Sequence, residues 1–117
     1  MTSESRSAAQ QMLGGFADKL ASLTDGVLFA YIWERPDLAP RDRSLITIAA
    51  LVSGGHTEQL PIHLHLGKGN GLTESGIVEA ITHLAFYTGW PRAMSAITTA
   101  RDAFRAADGS TDNTPQS

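Results

Sequence analysis

Residues 40–53 place the strongest constraint on what this chain can fold into. Seven apolar side chains in this stretch cover nearly the whole circumference of a helix: Leu45, Ile46, Ile48, Ala49, Ala50, Leu51 and Val52. A helix that is apolar on all sides is normally buried, because no face of it is suited to water. We therefore predict a buried central helix over residues 40–53, ended by the pair Gly54-Gly55.

Two helices are predicted before this segment. Apolar residues at spacings of four, four and three predict one amphipathic helix: Met12, Phe16, Leu20 and Leu23. The pair Gly14-Gly15 either weakens this helix or lets another helix approach it. Residues 27–33 predict a short apolar helix, which ends before Pro36 because a residue that precedes proline avoids the helical conformation.

Three more helices are predicted after it. One starts near Thr57 or Glu58 and runs to about Lys68, with Pro61 in or just after its first turn. The next is capped by Thr73, ends at Gly89 and carries the apolar stripe Ile77, Val78, Ile81, Leu84 and Ala85. The last begins at Pro91, with Met94, Ile97, Ala100 or Arg101, and Phe104 at helical spacing. About six helices, without a convincing strand, predict an all-α bundle.

The ends of the chain differ from its middle. Residues 1–8 are rich in serine and are expected to be flexible, and residues 108–117 offer nothing that could anchor a core and are expected to be disordered. We expect one domain over residues 9–107 of the 117. No apolar run is long enough to span a membrane and no leader-like pattern begins the chain, so we expect a cytoplasmic protein.

Charge and cysteine content exclude several functions. The chain has 9 basic and 12 acidic residues, a formal charge of −3, and its arginines and lysines are barely clustered, which argues against nucleic-acid binding. It has no cysteine. A thiol peroxidase, a dithiol redox centre, a cysteine nucleophile, a zinc finger and an iron–sulfur cluster are therefore excluded.

The histidines are the main chemical feature of the sequence. All four lie in one stretch that also contains Glu58, Gln59 and Tyr87: His56, His63, His65 and His83. Gln59 and His63 share a helix face, whereas His63 and His65 are about 200° apart and cannot both point into one site. We expect His65 to be the bystander.

Three other groupings allow more than one interpretation. Glu79, His83 and Tyr87 are spaced by four and form one polar line, either a tuned histidine or a solvated face with an ordinary ion pair. A zinc or iron site between two helices is an alternative that uses the side chains of His56, Glu58, His63 and His83. Trp33 and Trp90 could complete the core or face a substrate.

Several motifs, in matching order and spacing, resemble the carboxymuconolactone decarboxylase family. They are residues 32–38, 41–51, 57–63, 70–73 and 81–91, and the resemblance covers roughly residues 27–105. It implies an all-helical fold built around a helical hairpin, of the type also found in the D-type alkylhydroperoxidases. It further implies homotrimers or homohexamers with pockets near subunit interfaces.

The chain departs from the family pattern at informative positions. The peroxidases of this superfamily use a glutamate and two cysteines ahead of a histidine. By the resemblance that histidine corresponds to His63, whereas Ser44, His56 and Gln59 stand at the other three positions. Peroxidase activity is therefore not expected. His56 also follows Gly55 where the decarboxylases usually have an arginine.

The resemblance implies a lyase that needs no cofactor and acts on a small enolisable lactone or carboxylate. Loss of carbon dioxide would leave an enolate, which His63 would protonate as general acid or base, assisted by Glu58 and His83. The residues expected to bind substrate are Tyr87, Trp33, Arg43, His56 and Gln59, with Arg41 as an alternative to Arg43 for the carboxylate. The alternatives are a non-redox isomerase or cyclase, a family member that binds a ligand without catalysis, and a metalloenzyme.

Overall fold

The computed structural model describes residues 7–109, and every regular element in this range is helical. The elements are α1 (Ala8–Leu13), α2 (Asp18–Leu23), a π-helical segment (Thr24–Ile32), α3 (Pro40–Gly54), α4 (Leu60–Gly69), α5 (Glu74–Thr88) and α6 (Trp90–Ala107). The all-α prediction is confirmed. Most of the two expected flexible ends, residues 1–6 and 110–117, lies outside the described residues.

The chain forms two compact units that meet in sequence at Pro40 and Arg41. In the first unit the predicted single helix is broken by Gly14-Gly15, since Gly15 adopts a φ of 86° that continues no helix. Ser7 caps α1 by accepting a hydrogen bond from the Gln10 amide at 3.0 Å. The apolar residues that gave the helical spacing are exposed: Met12, Phe16, Leu20 and Leu23.

The second predicted helix is present, but in another form. Residues 24–32 follow α2 without a break and are wound as a π-helix, with the Trp33 amide donating to the Leu28 carbonyl at 2.9 Å. The segment ends at Ile32, before Pro36, as predicted. Its large apolar side chains are exposed: Val27, Leu28, Phe29, Tyr31 and Ile32.

In the second unit, α3 matches the predicted bounds but not the predicted burial. Its buried residues are Ser44, Ile48 and Val52, which follow one another at intervals of four and form one face. Ile46, on another face, is 59% exposed. The expectation of burial on all sides is therefore wrong for a single chain, since the other helices of the second unit cover only one side of α3.

Helices α3 and α4 form an antiparallel hairpin, and the two helices come close together at Gly67. A Cβ at Gly67 would lie 3.2 Å from Ile48 Cδ1 and 3.6 Å from Ser44 Cβ, so the two backbones approach closely there. The Asn70 side-chain amide donates to the Ser44 hydroxyl at 3.0 Å and ties the end of α4 to the start of α3. The helical hairpin implied by the family resemblance is thus confirmed.

The remaining boundaries follow local chemistry. Helix α4 begins at Leu60 rather than at Thr57 or Glu58, which leaves Pro61 in the first turn, where its missing amide hydrogen costs no bond. Thr73 caps α5 as predicted, accepting from the Gly76 amide at 3.0 Å.

The core of the second unit is built from one face of each of its helices. Helix α6 packs against both α4 and α5. The buried apolar side chains that form this core are Ile48, Val52, Leu60, Leu64, Leu72, Ile77, Ile81, Ala85, Ala93, Ala96, Ala100 and Phe104. Among the described residues, no helix combines the length and hydrophobicity that a membrane crossing requires.

Candidate active site

His63 lies at the edge of the buried face of α4. Leu60, Leu64 and Gly67 form that face, and His63 falls between them in the helical repeat, so that it is only partly exposed. Its Nδ1 atom is inaccessible to solvent. Burial lowers the pKa of His63 below its ordinary value of 6.5, because desolvation disfavours the charged imidazolium. A histidine held in this way is suited to proton transfer near neutral pH.

The loop between α3 and α4 carries three of the other predicted residues. Glu58 and Gln59 precede the first residue of α4 and are exposed. Gln59 is the N-cap residue of α4 and not a residue of the helix itself, so the predicted common helix face of Gln59 and His63 holds only where the helix begins. His56 is also exposed, and its ring packs across Gly54, where an added Cβ would lie 2.5 Å from Nε2. All three residues precede, in the sequence, the turn of α4 that contains His63.

Arg43 lies toward the other end of the hairpin. The residue after Arg43, Ser44, lies close to Gly67 near the end of α4, whereas His63 lies one helical turn before Gly67. Arg43 is half-buried, and its Nε atom is inaccessible to solvent. Arg41 is exposed and pairs with Asp42 at 3.3 Å.

His83 and Tyr87 lie on the outer face of α5. Each lies two positions along the chain from a buried residue of the stripe Ile77, Ile81 and Ala85. Two positions correspond to a rotation of about 200° around the helix axis, so both side chains point away from the buried stripe. Their rings stack with centroids 5.0 Å apart, and Tyr87 is 76% exposed. Glu79 on the same line is exposed and forms no ion pair with a described residue. Within one chain, the polar line of α5 is therefore a solvent-facing surface.

Trp33 belongs to the first unit and follows the π-helical segment. It is partly exposed and stacks on Phe29, with ring centroids 5.9 Å apart. Trp90 opens α6 in the second unit, is 58% exposed and packs edge-on against Phe86 at 5.4 Å. Trp90 therefore does not complete the core of this chain.

The metal alternative finds no ligand set in this part of the chain. Among residues 7–109, no three or more histidine and acidic side chains lie together as metal ligands would. His56, Glu58, His63 and His83 are thus not brought into one group within a single chain.

One residue near this site was missed by the sequence reasoning. Arg92, in the first turn of α6, lies with its guanidinium against Gly55, at the end of α3 and next to His56. No spacing rule connects Gly55 to Arg92. The positive φ of Gly55, 73°, marks a turn but does not reveal that an arginine packs on it.

The fold and the site define a small all-helical protein with a half-buried histidine, whose pKa is lowered, on a helical hairpin. Comparison with known proteins identifies the family to which this chain belongs. The carboxymuconolactone decarboxylase family matches residues 18–102, and the chain belongs to that family.

Two curated relatives are similar over the middle of the chain. The 4-carboxymuconolactone decarboxylase of Acinetobacter baylyi is 36% identical over 74 residues, which are 63% of this chain and 55% of the relative. The nitrosuccinic acid decarboxylase npaB of Metarhizium robertsii is 35% identical over 66 residues, which are 56% of this chain and 46% of the relative. The matched regions thus span about half the length of each relative.

Proposed function

We propose that this protein is a decarboxylase-like lyase that acts on a small enolisable lactone or carboxylate and needs no cofactor. The observation that carries the proposal is His63, a half-buried histidine with a lowered pKa at the edge of the α4 core. Membership of the carboxymuconolactone decarboxylase family and two relatives named as decarboxylases support it.

The proposed reaction breaks one carbon–carbon bond. The electron pair of the bond to the carboxylate moves into the adjacent carbonyl system, carbon dioxide leaves, and an enolate forms. The His63 imidazolium then gives a proton to carbon, and the neutral imidazole recovers a proton from water. Because burial lowers the pKa of His63, its charged form is a readier donor than an exposed imidazolium but a scarcer one at neutral pH.

The other predicted residues keep assisting roles in this proposal. Glu58 and His83 assist proton transfer, and the enolate oxygen accepts a hydrogen bond from Tyr87 or from His63. The residues assigned to substrate binding are Tyr87, Trp33, Arg43, His56 and Gln59. All of these roles are predictions from sequence, as is a cytoplasmic location.

We also propose that the protein assembles as a homotrimer or homohexamer. Exposed large apolar side chains in both units support this, since a monomer of this size seldom exposes so many. Those of the second unit are Ile46, Ile62, Leu66, Val78, Phe86, Tyr87, Trp90 and Met94. The outer face of α5 would then meet a neighbouring copy, and His83 and Tyr87 would act at an interface. Size measurement by light scattering tests the assembly, and a monomer at micromolar concentration contradicts it.

Incubation of the purified protein with a panel of acids in D2O tests the reaction. The panel includes 4-carboxymuconolactone and nitrosuccinic acid, the acids in the names of the relatives. We expect release of carbon dioxide from at least one acid, with one deuterium incorporated at the carbon that lost it. A changed product without carbon dioxide would favour the isomerase or cyclase alternative. Binding without any change would favour a non-catalytic family member.

A further inference from the structure

We propose that Ser44 and Asn70 are positioning residues for His63, because the hydrogen bond between their side chains fixes how α4 is rotated against α3. This inference rests on the proposed function, in which His63 transfers the proton, and it assigns two residues that act on His63 without touching the substrate. The starting observation is a polar side chain in the core that packing alone does not explain.

Ser44 is a buried polar residue on an otherwise apolar face of α3. Among residues 7–109 it is the one polar side chain that is fully buried, and it shares its face with Ile48 and Val52. A buried hydroxyl destabilises a fold unless it is hydrogen-bonded. The Asn70 side-chain amide supplies that bond, donating to Ser44 Oγ at 3.0 Å. An alanine in place of Ser44 would need no partner, so packing alone does not call for a serine here.

The other contacts at this point of the hairpin do not define the rotation of α4. Gly67 has no side chain, and the atoms of α3 that face it are carbons, Ile48 Cδ1 and Ser44 Cβ. Attraction between apolar groups is non-directional, so it tolerates small rotations of one helix on the other. A hydrogen bond, by contrast, weakens steeply as it bends, and a buried polar pair is well suited to select one register. The bond from Asn70 is the directional contact between these two helices.

The rotation of α4 determines how far His63 is buried. His63, Gly67 and Asn70 follow one another at spacings of four and three, so they lie along one side of α4. Asn70 is the C-cap residue, about two turns or 10 Å beyond His63 along the helix axis. His63 is at the edge of the buried face, so a rotation of about 40°, the offset between positions i and i+4, changes its exposure. Holding Asn70 against Ser44 therefore also holds His63 at one depth.

A second set of contacts fastens the same end of α4 from another side. Lys68 forms an ion pair with Glu74 of α5, and its ammonium lies 5.1 Å from the centre of the Phe104 ring on α6. Lys68 is one position from Gly67, which is a rotation of about 100° around the helix axis. These contacts therefore hold α4 on α5 and α6, and the hydrogen bond to Ser44 is their counterpart on α3.

Loss of the bond should change two properties of His63. The pKa of His63 is lowered by burial, so it should rise toward its ordinary value of 6.5 when α4 samples rotations that expose the ring. The place of the ring against the substrate should also be less well defined, which lowers kcat more than it changes KM. A loss of stability alone produces neither effect, because the molecules that remain folded keep His63 in place.

Asn70→Ala tests the proposal, with Thr73→Ala as the matched control. Thr73 caps α5 by accepting a hydrogen bond from the Gly76 amide at 3.0 Å, so its replacement lowers stability without touching the bond between α3 and α4. An NMR titration of the imidazole signals reads the pKa of His63 directly, and the signals of the exposed His65 on the same helix are the internal reference.

The two single variants should differ in both readouts. We expect a raised pKa of His63 in Asn70→Ala and a wild-type pKa of His63 in Thr73→Ala. With an acid that the wild type converts, kcat of Asn70→Ala should fall about 10- to 100-fold, while Thr73→Ala stays close to the wild type. The titration needs no turnover, so it supports or overturns the inference even if no acid is decarboxylated and the proposed function fails.

The double variant Ser44→Ala, Asn70→Ala separates position from stability. Removal of both partners leaves no buried hydroxyl unpaired, so the double variant should be more stable than Asn70→Ala while it still lacks the directional bond. The pKa of His63 should therefore stay raised in it. A wild-type pKa of His63 in both Asn70→Ala and the double variant overturns the inference. A pKa that Thr73→Ala raises equally, or that the double variant restores together with stability, assigns the pair to stability and also overturns it.

Discussion

Replacement of Gly67 by alanine should destabilise the α3–α4 hairpin that holds His63. The new Cβ would lie 2.9 Å from Leu72 Cδ1 and 3.2 Å from Ile48 Cδ1, and both of these side chains are buried. Overpacking of this kind typically costs about 1–3 kcal/mol. Alanine in place of glycine within a helix returns up to about 1 kcal/mol. The expected net loss in the free energy of unfolding is therefore about 0–3 kcal/mol.

Gly69→Ala provides a control in the same helix. A Cβ at Gly69 has no atom of another element within 4 Å, so this variant should be neutral or slightly more stable than the wild type. Urea denaturation followed by circular dichroism should place Gly67→Ala below Gly69→Ala by about 1–3 kcal/mol, or several degrees in Tm. Equal stabilities, or a more stable Gly67→Ala, would refute the close packing of the hairpin.

Two further predictions concern helix capping and pH. Thr73→Ala should lower the free energy of unfolding by about 1 kcal/mol in the same assay, because the α5 cap is lost. Thr82→Ala, in the exposed middle of α5, should stay within about 0.5 kcal/mol. Since burial lowers the pKa of His63 in the folded state, the unfolded state binds more protons below pH 6.5, and stability should fall as pH drops through that value. Unfolding curves of His63→Gln should show a weaker fall, and an unchanged fall would contradict the burial.

Much of the fold could be predicted because its determinants are local. Proline in the first turn of α4, the threonine cap of α5 and glycine at helix ends are fixed within a few residues, and the predicted boundaries there are nearly correct. The errors have non-local causes. Burial of all faces of α3 depends on what surrounds one chain, which periodicity does not encode.

The site could be predicted only in part for the same reason. Helical spacing correctly separates His63 from His65: the first is half-buried and the second is exposed. Spacing could not show that the face bearing His83 points away from the core of its own chain. It also could not reveal Arg92, because the contact with Gly55 depends on how α6 packs against the end of α3.

The role of His63 is tested most directly by carbon dioxide release from 4-carboxymuconolactone or from another acid that the wild type converts. We compare the wild type with His63→Ala and with His65→Ala, which removes an exposed histidine from the same helix. Loss of a general acid should lower kcat by about 10²- to 10⁴-fold in His63→Ala, while His65→Ala stays close to the wild type. Equal turnover by His63→Ala and the wild type would contradict the account.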